Sequence, residues 1–78
     1  MKICLTGKMT QTREMMYQRF TNYGITVMAQ VSGNVDYLVT GERPGNNKIE
    51  TARNKKVQIL TEEEFLDMMI ADYPEYML

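Results

Sequence analysis

The chain has 78 residues, 44% of them hydrophobic, with nine Lys and Arg against ten Asp and Glu, no His and a single Cys. That is room for one small domain. It excludes a membrane span of roughly 20 apolar residues, an internal disulfide, an imidazole base and a Cys-rich zinc site. Charge is segregated: nine bases and four acids lie among residues 1–60, about +5, whereas residues 61–78 hold six acids and no base, about −6. No basic start followed by an apolar run marks a secretory leader, and Cys4 in a strand reads as a small buried hydrophobe. The expectation is a reducing cytoplasm.

The first strand is predicted over residues 2–6, with Ile3 and Leu5 as its buried content. Thr6 and Gly7 stop it at a polar turn. A helix follows, capped by Thr10 or Thr12 and running to about Tyr23. Met16, Phe20 and Tyr23 recur at helical spacing on one face, which Met15 widens. Gly24 ends this helix as a left-handed C-terminal residue. A second strand is expected over 25–28, and Ser32-Gly33-Asn34 is a turn signal. The apolar run Tyr37-Leu38-Val39 predicts a third strand, over 36–40 and buried on both faces.

A polar loop with Pro44 and Gly45 precedes a second helix of about two turns. Asn46 or Asn47 is its expected cap, with Asn47 and Glu50 spaced as a capping box and Ile49 and Ala52 facing inward. A fourth strand is predicted over 57–60. Thr61-Glu62-Glu63-Glu64 is a capping box that opens the third helix and places negative charge where the dipole favours it. Phe65, Leu66, Met69 and Ile70 form that helix's expected inner face. Residues 1–72 are read as the single domain and 73–78 as a tail, whose Tyr73, Tyr76, Met77 and Leu78 are candidates to fold back. The Met start and the lack of linker at either end read as a complete small protein.

Strand and helix alternation argues for a parallel sheet with helices on both sides. The second and third strands are joined by about seven residues without a helix, which suits an edge position for the second strand and the order 2-1-3-4. The switch point then lies above Thr6-Gly7, where α/β sheets bind ligands. A hydroxyl, a bare backbone N–H and a nearby helix N-terminus make a small anion pocket there. Thr6-Gly7 taken alone reads more readily as a strand-ending turn, with the hydroxyl capping the next helix.

Leu5-Thr6-Gly7-Lys8, Tyr23-Gly24, Asp36-Tyr37-Leu38-Val39, the Gly41 to Lys48 stretch, Ala52-Arg53 and Ile59-Leu60 with the following acids occur in an order that resembles a BRCT domain. The likeness is to the class in bacterial NAD-dependent DNA ligases and the large subunit of replication factor C, and it spans residues 2 to about 70. It implies a three-layer α/β/α fold: a four-stranded parallel sheet of order 2-1-3-4, with helices one and three on one face and helix two on the other. It also implies phosphate binding by Thr6, Gly7 and Lys48, with Arg13 matching a basic residue that helps hold DNA. A Lys at a helix start is repelled by the dipole, and an anion between them relieves that.

Lys8, Arg53, Lys55 and Lys56 are surface charges by default or else a positive rim that extends contact along the DNA backbone, and Arg43, in the loop beside Lys48, is a similar candidate. Lys8 and Arg43 join Arg13 as the expected backbone contacts. Enzymatic readings fail, since Thr6-Gly7-Lys8 lacks the glycine and hydroxyl of a Walker loop and the Glu62-Glu63-Glu64 run is explained by capping. The expected function is a non-catalytic module without cofactor that recognises 5′-phosphorylated DNA ends or nicks in replication or repair. The alternative is a protein-interaction adaptor for a phosphorylated segment, a repair enzyme or a second copy of itself. The expectation is of a monomer or weak homodimer in the cytoplasm, on the nucleoid and away from membranes.

Overall fold

A computed structural model describes residues 1–76. The elements are β1 (Lys2–Thr6), α1 (Arg13–Asn22), β2 (Thr26–Met28), β3 (Tyr37–Thr40), α2 (Asn46–Asn54), β4 (Gln58–Thr61) and α3 (Glu62–Asp72). All four strands pair in parallel, in the order β2-β1-β3-β4. The expected sheet is therefore the observed one.

Alternation along β1 and β3 sends side chains to two separate cores. Ile3, Leu5 and Val39 pack with Met16 and Phe20 of α1 and Phe65 and Met69 of α3. Cys4 and Leu38 point the other way, toward Ala52 of α2, Val31, Val35 and Val57. Helices one and three thus share one face and helix two takes the other, and Cys4 is a fully buried free thiol.

The caps test the local readings. Thr12 caps α1, accepting from the Met15 N–H at 3.2 Å. Gly24 follows the helix with φ +72°. Thr61 and Glu64 form the full capping box of α3. The box expected at Asn47 and Glu50 is absent: the N-cap of α2 is Gly45, and no side chain caps the helix. Ile25 lies outside β2 because its N–H closes onto the Phe20 carbonyl at the end of α1.

Two apolar assignments are corrected. Met15 is 49% exposed and Ile70 39% exposed. Their neighbours Met16 and Met69 take the inward positions. Beyond α3 the chain does turn back. Tyr76 is 3% exposed and stacks on Phe20 at 6.2 Å, and Tyr73 lies against Tyr23 at 4.5 Å. Met77 and Leu78 fall outside the described residues.

Candidate functional site

Thr6 and Glu62 are the two buried polar side chains among the described residues, and both lie at the C-terminal edge of the sheet. The Thr6 hydroxyl accepts from the Gly45 N–H at 2.9 Å. A hydroxyl that accepts in this way keeps its own proton for another partner. A Cβ at Gly45 would stand 3.3 Å from the Thr6 Oγ1, so a side chain there would crowd the hydroxyl.

Gly7 turns the chain out of β1 with φ +87°. Residues 7 and 8 run antiparallel to 41 and 42, with reciprocal bonds of 2.8 Å between Lys8 and Glu42. A Cβ on Gly7 would meet the Glu42 carbonyl oxygen at 2.8 Å, and one on Gly41 would collide with the Lys8 carbonyl oxygen. Both glycines are therefore required by close backbone approach, and Gly7 by its φ as well. Among the described residues no acceptor pairs with the Gly7 N–H.

Lys48 stands in the first turn of α2, and its ammonium donates to the Leu5 carbonyl at 3.3 Å. β2 ends at Met28, opposite Cys4, and so leaves the last residues of β1 uncovered on that side. One ammonium hydrogen goes to Leu5, and two remain. The N–H groups of Asn46, Asn47 and Lys48 precede the first bond within α2, from Ile49 to the Gly45 carbonyl, and uncapped donors of this kind favour an anion.

Arg13 opens α1, and its guanidinium donates to the Gly7 carbonyl at 3.4 Å. The structure thus gathers Thr6, Gly7, Lys48 and Arg13 around the end of β1. Lys8 and Arg43 sit to one side, lining a 570 Å³ cleft with Gly7 and Glu42. Arg53, Lys55 and Lys56 are elsewhere, at the opposite end of α2.

Sequence reasoning missed two supports. One is Gly45, whose N–H orients the Thr6 hydroxyl. The other is Glu62, whose carboxylate accepts from the Thr10 N–H at 3.0 and 3.1 Å and from its hydroxyl at 2.9 Å. Glu62 so pins the loop from Gly7 to α1, across 52 residues. A carboxylate is buried at reasonable cost only when bonded in this way and placed at a helix N-terminus. The available signal was the position of Glu62 directly after a cap. Its partner had no local signature.

Residues 1–69 match the family model of the BRCA1 C Terminus (BRCT) domain. The chain belongs to the BRCT family. It is similar to DNA ligases of Thermotoga petrophila, 45% identical over 74% of this chain and 8% of the ligase, and of Psychromonas ingrahamii, 41% identical over 86% and 10%. Likeness to the DNA ligase of Ruthia magnifica is 38% over 83% and 11%. This BRCT chain therefore spans about a tenth of the length of the curated relatives it matches, and the resemblance read from its motifs holds.

Proposed function

We propose that this BRCT domain is a non-catalytic module of DNA replication and repair that holds the 5′ phosphate of a DNA end or nick. Thr6 donates its hydroxyl hydrogen, Gly7 its N–H and Lys48 two ammonium hydrogens, while Arg13, Lys8 and Arg43 contact the adjoining backbone. The observation that carries this is the Lys48 ammonium, brought across 43 residues to the carbonyl of Leu5, the residue before Thr6 at the end of β1. Bonds to an ionised group are the stronger kind, and phosphate contacts fix register without reading bases. The DNA ligases among its relatives support a nucleic-acid ligand, and a cytoplasmic, nucleoid-bound location follows from that reading.

The test is a titration with duplexes that differ only in the 5′ phosphate. The parent protein prefers the phosphorylated duplex. Lys48→Glu loses that preference, weakening the complex by about tenfold or more, the scale of one charged hydrogen bond. Equal binding of both duplexes by the parent would refute the reading.

A protein-adaptor role, through a phosphorylated protein, a replication or repair enzyme, or self-association, is the second reading. Met15 and Tyr17, 49% and 44% exposed on α1, favour it. Light scattering on nuclease-treated protein separates the two readings.

A further inference from the structure

The C-terminal end of α2 carries an unexpected residue. Lys55 is the C-cap, and Lys56 follows with φ +58°. The Lys56 N–H bonds to the Arg53 carbonyl at 3.2 Å and the Val57 N–H to the Ala52 carbonyl at 2.8 Å. This is the helix-ending pattern whose left-handed position ordinarily falls to Gly. An L side chain is disfavoured there, yet this chain places an exposed Lys at it, beside exposed Lys55 and Arg53. A side chain that stands against its backbone preference points toward a use for it.

Position within the helix suggests the use. Lys48 and Lys55 are seven residues apart, two turns and so on one side of α2, about 10.5 Å along its axis. Between them Thr51 lines a 200 Å³ cleft with Lys48, Asn47 and Gln30. The acid of this helix, Glu50, is two residues from Lys48 and three from Arg53, a spacing that puts it on the side of Arg53 and away from Lys48.

We propose that the Lys55 and Lys56 turn is a second DNA-backbone contact, so that a duplex held by its 5′ phosphate at the start of α2 lies along that helix. The proposal rests on the reading that DNA is the ligand. The separation of the two ends spans about three base steps at about 3.4 Å each along one strand. Contacts at this turn hold phosphates of any sequence, with or without a 5′-terminal phosphate.

The experiment titrates the parent, Lys56→Gly and Lys56→Arg with 5′-phosphorylated and 5′-hydroxyl duplexes over a salt series, and melts each protein. Lys56→Gly is expected to melt about 2–8 °C higher, because the backbone strain is gone. It is expected to bind both duplexes several-fold more weakly at low salt, with a log–log salt slope shallower by about one. The ratio between the two duplexes stays at the parent value, and Lys56→Arg keeps the parent slope. A Lys56→Gly protein with the parent's slope and affinity overturns the proposal. A parent without preference for the 5′ phosphate overturns the phosphate corner alone, and a shallower Lys56→Gly slope in that case still supports the turn.

Discussion

The two faces of the sheet are built on different scales. On one, Phe20 and Phe65 meet edge to face at 5.5 Å, Tyr76 stacks on Phe20, and Met16 and Met69 fill the gaps. On the other, Cys4, Val31, Val35, Leu38, Ala52 and Val57 make a core without an aromatic ring. Apolar burial is the main favourable term in folding and scales with area, so the α1 and α3 face supplies most of it. Ala52 and Val57 pack into this core beneath α2, and from the start of the same helix the Lys48 ammonium reaches the Leu5 carbonyl of β1. One face holds the domain together, and the other positions the helix that carries Lys48.

That contrast is most directly broken by deletion of one side chain from each face. Phe65→Ala should cost about 3–5 kcal/mol, enough to threaten a domain of this size. Val57→Ala should cost about 1–2 kcal/mol, the worth of two buried carbons. Urea unfolding of both variants measures the difference, and equal losses would mean that the two cores contribute alike.

Glu62→Gln tests where the large face meets the site. It weakens the charged bonds to Thr10, at about 1.5–3 kcal/mol for the clasp. Hydrogen exchange at Thr10 should quicken with it, while exchange in β3 shifts only by the global change. Unaltered exchange at Thr10 would remove Glu62 from the loop's support.

The smallest effect concerns Tyr76, which seals the aromatic core. Burial raises its phenol above the ordinary value of 10.0, opposed mainly by the Arg19 guanidinium, 5.6 Å from the ring centre. The unfolded chain therefore gives up this proton first. The phenol's contribution is complete below pH 10.0 and is lost as pH rises through the higher folded value. Stability measured against pH in Tyr76→Phe should lack this alkaline component, and an identical profile would show that the ring is not shielded.

Much of the fold was legible because its signals are local. The capping box at Thr61, the left-handed Gly24 and the apolar runs of β1 and β3 each depend on residues within one turn or strand. Met15 and Ile70 were misplaced because each adjoins another apolar residue, and helical periodicity in a short helix does not choose between neighbours. The α2 cap was misread because Asn at a helix start resembles a capping residue, whereas Gly45 had already been taken by Thr6. Of the candidate site, Thr6, Gly7 and Lys48 were singled out through motif order, and the reach of Lys48 to the end of β1 was not derivable from spacing.

The order of elements, two-sided burial of the central strands and charge segregation were determined by the sequence itself, since propensity, capping and periodicity act over a few residues. The tertiary structure alone decided that Gly45 orients Thr6, that Glu62 holds Thr10 and that Lys56 takes a left-handed turn where glycine is favoured. The first two contacts join residues 39 and 52 positions apart. The turn at Lys56 is set by Val57 seating in the core under α2. Such arrangements depend on which loops close together in space, and no local pattern of residue types encodes that.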